Sequence, residues 1–199
     1  MSGETLIEFV RESNAIEGIF ATPGTPEWDD HMEAAEYVQA HPGRAVAYPR
    51  KIHSMVMAHT DKLPGEYRHP CVTYFDGRAR HQTGEVSVGG KVKMPWEHVP
   101  AAMQALILDA RRSYAWGQKA TTESRIWGWH FEFERIHPFL DGNGRTGRLW
   151  MNAIRQRGFL PWAIVRAAER HNYYARIRAY ELASVARSSS TPHEETPDA

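Results

Sequence analysis

The sequence predicts a mainly helical domain carrying one β-hairpin. Two observations point there. Apolar residues recur at helical spacing along most of the chain, and one segment alone, residues 84–96, alternates with the period of a strand. A third sets the scale: 199 residues, 42% of them apolar and 11% aromatic, suit one domain with a packed core.

The elements follow in order. Residues 4–20 place Leu6, Val10, Ile16 and Phe20 on one stripe. ATPGTPEWDD (21–30) is a Pro/Gly connection, and residues 29–40 and 46–60 are helical. In 84–96, Val86 and Val88 alternate before Gly89-Gly90, then Val92 and Met94 alternate after it. Met103, Leu106, Ile107, Ala110 and Tyr114 mark a helix over 101–117. An aromatic-rich helix over 122–136 must stop near Ile136, because His137 precedes a proline and avoids helical backbone. A helix over 144–157 ends at Gly158 with Pro161 beyond, and a last one covers 167–186. The Trp cluster (Trp116, Trp127, Trp129) reads as core. The polar residues 187–199 read as a disordered tail, leaving 1–186 as the domain.

Composition narrows the function. Lys+Arg and Asp+Glu both total 24, so the chain has no general attraction for nucleic acid or anionic lipid, and any anion must be held locally. The single cysteine, Cys71, excludes an internal disulfide framework and suits a reducing, cytoplasmic setting. The first residues lack the basic and apolar parts of a signal peptide, and no apolar run spans a bilayer.

The chemistry concentrates in HPFLDGNGRTGR, residues 137–148. DGNG is a tight turn feeding a helix, whose free N–H groups and dipole favour an anion. Gly142 and Gly144 let backbone approach closely, and Arg145 and Arg148, three apart, offer guanidiniums matched to phosphate oxygens. Asp141 is suited to hold Mg²⁺, which takes one or two carboxylates plus phosphates. His137 has the ordinary pKa of a general base near neutrality. Each part alone has a plainer reading: a structural His before Pro, a turn, a solvated basic face. GNGRTG also fits G-x-G-x-x-G, but a helix precedes it where the dinucleotide fingerprint needs a strand.

The whole segment resembles the Fic signature H-P-F-x-[D/E]-G-N-G-R-x-x-R. PGEYR (64–68) resembles the entry to that family's core, and 84–96 falls where the family has its substrate flap. The resemblance implies a Fic-type helical bundle that transfers AMP from Mg·ATP, with Mn²⁺ as a substitute metal, to a Ser, Thr or Tyr hydroxyl of a target protein. His137 would deprotonate the hydroxyl and Asp141 would hold the metal. Gly142, Asn143 and Gly144 would form the anion hole, Arg145 and Arg148 would bind the phosphates, and Phe139 would anchor the loop. Gly144, where kinase-type relatives carry Lys, favours AMP transfer over phosphate transfer. Val92, Lys93 and Met94 would align the target along the flap edge. Tyr173 and Tyr174 would lie near the adenine, while Glu181 stands where relatives often carry Asn.

One carboxylate is out of place. The stripe through Leu6 and Val10 leads to Ser13 and then Glu17, a costly position for an unpaired acid. Either the helix frays near Ser13-Asn14 and leaves Glu17 in water, or a cation meets it. SNAIEG (13–18) resembles the inhibitory pattern of autoinhibited Fic proteins. That implies a Ser13/Glu17 segment over residues 1–20 whose Glu17 pairs with Arg148 in place of the γ-phosphate. Two alternatives stand beside AMP transfer: a hydrolase using Glu17 to remove AMP, and a non-catalytic nucleotide-sensing module. No metal-site companions accompany His130 and His137, seven apart, nor do His53, His59, His69, His81 and His98 form a group. An apolar face on the first helices allows a homodimer.

Overall fold

The computed structural model describes residues 3–75, 78–113 and 122–189. Among them are eight α-helices: α1 (Gly3–Ile16), α2 (Pro26–Ala40), α3 (Pro42–Ala47), α4 (Pro49–Val56), α5 (Val99–Arg112), α6 (Glu123–Ile136), α7 (Asn143–Arg157) and α8 (Arg170–Ser189). Strands β1 (Pro70–Phe75) and β2 (Arg78–Thr83) form one antiparallel hairpin, and β3 (Ser87–Val88) and β4 (Lys91–Val92) form another. Tyr114 and Trp116 of the expected 101–117 helix lie outside the described residues, as does the tail from 190 onward. Residues 187–189, assigned to the tail by sequence, continue α8.

Helix α7 is the axis of the molecule. It packs against α1, α2, α3, α4 and α6, and every residue from Leu149 to Ile154 is buried. A helix enclosed all round needs any polar side chain satisfied. Asn152 meets this by bonding Arg148 O (3.1 Å) and both backbone groups of Ala163 (3.0 and 2.8 Å), which fastens the segment after α7 to its side. A second, smaller cluster of Ile16, Phe131, Val165, Tyr173 and Ile177 joins the end of α1 to α6 and α8.

Four sequence expectations change. The single helix over 46–60 is two. Tyr48, before Pro49, takes an extended φ of −133°, and Pro49 opens α4 as its first residue. The first helix stops at Ile16, four residues early. Gly18 adopts φ 76°, its N–H bonds Ala15 O (3.0 Å) and the Ile19 N–H bonds Asn14 O (3.0 Å), a Schellman stop. Phe20, expected on the core stripe, is therefore beyond the helix and exposed. A second hairpin, β1–β2, joins the expected one. At the end of α7, Gly158 is the last half-helical residue (φ −87°), and the left-handed position falls to Phe159 (φ 57°), whose side chain is exposed.

The expected 84–96 hairpin is present. Gly89 and Gly90 both have positive φ, as the tight turn between β3 and β4 requires. Among the described residues no helix is long and apolar enough to cross a membrane.

Left-handed backbone costs a residue with a Cβ about 1 kcal/mol or more relative to glycine. Phe159→Gly is therefore expected to raise stability by about 1 kcal/mol, read as a higher denaturation midpoint. A second expectation concerns acid. Burial lowers the pKa of His31, lowers His53 to about 4, and lowers His130 and His137 to about 3. Between the ordinary value of 6.5 and these folded values the unfolded chain binds more protons, so stability falls as pH drops. Each ring contributes up to about 1.4 kcal/mol per pH unit, and Glu134, raised to about 7, opposes as one group against four. Thermal melts should show Tm falling steeply from pH 6.5 toward pH 4.

Candidate active site at the start of α7

Helix α6 ends where His137 turns left-handed (φ 52°), with its N–H bonded to Phe133 O at 2.9 Å. Pro138 forbids any continuation. Arg68 holds this bend. Its buried guanidinium donates from Nε to His137 O (2.7 Å), from Nη1 to Gly84 O (2.7 Å), and from Nη2 to Ile136 O (3.3 Å) and Met94 O. Its backbone N–H bonds Pro138 O at 2.9 Å. One side chain thus joins the end of α6, the His137 loop and the base of the flap.

The loop is closed from inside. Phe139 is fully buried and stacks on His53, ring centroids 3.7 Å apart. His53 accepts the Gly65 N–H at Nδ1 (2.8 Å), so its proton sits on Nε2, which donates to Asp141 O (3.1 Å). The Asn143 side chain bonds both backbone groups of Phe139, each at 2.9 Å. It is therefore engaged within the loop. What Asn143 retains for a ligand is its backbone N–H. With those of Gly144 and Arg145 it precedes the first intrahelical bond of α7, Thr146 N–H to Gly142 O (3.0 Å). Gly142 (φ 68°) admits no side chain, since a Cβ there would lie 2.6 Å from Met57 Sδ.

Both signature arginines are buried. Arg148 donates from Nε to Ser13 Oγ (2.9 Å) and from Nη2 to Ser13 O and Glu17 Oε1 (2.8 Å each). Burial lowers its pKa, and Glu17, Tyr173 and Glu134 more than offset that, so it stays charged. Arg145 touches Met57 Sδ at 3.2 Å. Among the described residues, Arg145 Nε and Nη1, Arg148 Nη1, Thr146 Oγ1 and His137 Nδ1 are buried with no protein partner. Buried guanidinium N–H groups are costly to leave unmade, and an anion with several oxygens would satisfy them.

Glu17 is the Ccap of α1, and its carboxylate rests on the first turn of α7. A Cβ built on Gly144 would lie 2.1 Å from Glu17 Oε1. An acid at a helix C-terminus is disfavoured by the dipole, whereas the same acid at a helix N-terminus is favoured. The carboxylate is 29% exposed and Arg148 1%. The frayed-helix alternative is thereby excluded: Ser13 and Asn14 are helical and buried.

Asp141 accepts the Gly142 N–H at Oδ1 (2.6 Å), and the Lys62 ammonium lies against Oδ2. Burial raises its pKa, but Lys62 and that N–H together hold it below the ordinary value. Among the described residues no group of three His, Cys, Asp or Glu side chains is placed to hold a metal by itself. A hard cation here would draw its other ligands from water and phosphate oxygens, as Mg²⁺ does.

The remaining expected residues divide. Tyr173 is core: its hydroxyl bonds His130 Nε2 (2.8 Å) and its ring lies 5.8 Å from the Arg148 guanidinium. Tyr174 is half-buried beside Arg170. On the flap, Val92 is exposed and β4 has β3 as its one strand partner. The Lys93 side chain points inward, bonding Glu181 of α8 and Glu134 O (3.3 Å). Met94 packs on the main core. Flap and α8 enclose a groove of about 200 Å³ lined by Val92, Met94, Leu182 and Val185. Sequence reading missed Arg68, His53, Lys62 and Glu134. Glu134 is buried three residues before His137, its Oε1 without a partner, and burial raises it to about 7.

Residues 45–154 match the model of the Fic/DOC family. A protein adenylyltransferase Fic of Culex quinquefasciatus is 32% identical over 125 residues, 62% of this chain and 22% of that protein. One of Nematostella vectensis is 56% identical over 45 residues, 23% of this chain and 10% of that protein. The chain thus spans about a fifth or less of these curated relatives. A Fic domain containing signaling protein of Bacteroides thetaiotaomicron superposes with TM-score 0.68 at 21% identity, covering 88% of this chain and 71% of that one. C. elegans Fic-1 (aa134–508) gives 0.68 at 20%, covering 92% and 57%. These two show a shared fold.

Because Arg68 alone satisfies carbonyls of three separate segments, Arg68→Ala is expected to cost about 3 kcal/mol of stability, measured by denaturant unfolding.

Proposed function

The chain belongs to the Fic/DOC family, and we propose that it is a protein adenylyltransferase, transferring AMP from ATP to a hydroxyl side chain of a target protein and releasing pyrophosphate. The observation that carries this reading is the set of buried, unpartnered guanidinium donors at the first turn of α7, one loop away from His137. The names of the curated relatives support it.

Each group has a role that its surroundings allow. Burial, then the Lys93 cation, holds His137 down to about 3, so its ring is neutral at neutral pH and can accept a proton. The approach of a triphosphate's negative charge raises that proton affinity toward a useful value. The target hydroxyl attacks the α-phosphorus, its proton passes to His137, and the bond to the β-phosphate oxygen breaks. The free N–H groups of α7, with Arg145 and Arg148, carry the charge on the phosphate chain. Asp141 is the residue that would hold Mg²⁺, which supplies further charge neutralisation when bound. Gly144 leaves room above the turn where a side chain would collide with an anion, in keeping with AMP transfer. The free edge of β4 offers backbone groups to an extended target segment. The setting we assign is a reducing cytoplasm.

Glu17 acts as a brake in this proposal. Its carboxylate occupies space beside Arg148 that a terminal phosphate would need. Removing it leaves Arg148 with both Ser13 bonds, so the fold should survive.

With ATP labelled at the α-phosphate and cell extract as target source, label should enter protein. His137→Ala should lower the rate by at least about 10²-fold. Glu17→Gly should raise it about tenfold, the yield of releasing an ion pair worth about 1.4 kcal/mol. Transfer of γ-label, or of no label by both the wild type and Glu17→Gly, would overturn the assignment.

A further inference from the structure

Both oxygens of the Asp141 carboxylate already have partners: the Gly142 N–H on Oδ1 and the Lys62 ammonium on Oδ2. The second partner comes from far along the chain, 79 residues away. The segment that carries it, residues 57–65, is fastened to the His137 loop at several points. Met57 Sδ touches the Arg145 guanidinium, and the space over Gly142 is filled by the same side chain. His53 bonds Gly65 N–H on one side and Asp141 O on the other. Within the segment, Leu63 is left-handed (φ 53°), the Glu66 N–H bonds its carbonyl (3.0 Å), and Thr60 Oγ1 bonds Met57 O (3.0 Å). The fold therefore delivers Lys62 to the carboxylate by packing, and its flexible stem leaves the ammonium free to depart.

We propose that Lys62 is a resident counter-cation that competes with the divalent metal for Asp141, a role that rests on the reading of Asp141 as the metal carboxylate. A free cation must displace the ammonium and gains the Asp141 carboxylate in return, with no group of three His, Cys, Asp or Glu side chains among the described residues to hold it. It binds poorly. A cation arriving on a triphosphate brings its own oxygens, and the displaced ammonium finds phosphate oxygens as new partners. Lys62 thereby makes the site load with metal and nucleotide together. It is a positioning residue: it sets which species enters and takes no part in bond making. Both side chains are a little under half exposed (46% and 43%), so the competition is modest in size.

The test is Mn²⁺ binding to the full chain, followed by the electron paramagnetic resonance signal of the free ion, with and without a non-hydrolysable ATP analogue. Without nucleotide, Lys62→Gln should bind Mn²⁺ about two- to fivefold more tightly than wild type. Lys62→Arg, which keeps the charge, should not. With the analogue present the gap should shrink. Equal Mn²⁺ affinity for wild type and Lys62→Gln without nucleotide would overturn the role of Lys62 while leaving the Asp141 assignment standing. Unchanged Mn²⁺ binding in Asp141→Asn with the analogue present would remove the Asp141 assignment itself, and Lys62 with it.

Discussion

A buried guanidinium organises this molecule. Arg148 sits one turn into the most enclosed helix, and its donors reach the end of α1 through Ser13 and Glu17 while its face meets Tyr173 of α8. Desolvating that charge is tolerable only because oxygens were brought to it. Bringing them dictates how α1 ends, where α8 begins and what stands over the first turn of α7. The Schellman stop at Gly18 is the local device: it halts α1 so that Ser13 faces Arg148 from within the helix and Glu17 from its edge.

Carboxylates and cations share partners around the cleft. Glu17 and Glu134 both influence Arg148, Asp141 and Glu17 both act on Arg145, and Lys93 divides its ammonium between Glu181 and the carbonyl of Glu134. Glu134 shows the cost of crowding, since burial raises its pKa despite the Arg148 and Lys93 cations nearby. In the proposed reading, incoming phosphates enter a site already populated by protein carboxylates, and selectivity follows from which of them yields.

Local chemistry was legible in the sequence, and long-range pairing was not. His137 before Pro138, the glycine turn and the two arginines stand within twelve residues, and their spacing alone gathers them around one helix start. The hairpin at 84–96 declared itself by alternation around Gly89-Gly90. By contrast Arg68, His53 and Lys62 reach the same loop from 69, 88 and 79 residues away, and although Arg68 closes the PGEYR segment, no local pattern shows which loop these side chains reach. Asn143 sits inside the motif yet serves the loop's own backbone, which spacing does not distinguish from ligand binding. Other misses left a mark in the sequence: Gly18 marks the stop of α1 and Pro49 the break before α4. Phe20 was misplaced because a helical stripe was extended past a glycine.

The position of Glu17 has a kinetic consequence. Its carboxylate hangs from the Ccap of α1 on freely rotating single bonds, partly in water, while the backbone beneath it is locked by two hydrogen bonds of the Gly18 stop. Withdrawal from the cleft is a change of rotamer, not a melting of the helix. Such a hop takes nanoseconds or less at an exposed site and slows only by the strength of one ion pair. In the proposed reading the oxygen over Gly144 therefore acts as a rheostat, displaced in proportion to the concentration of whatever competes for Arg148, without a separate unlatching step.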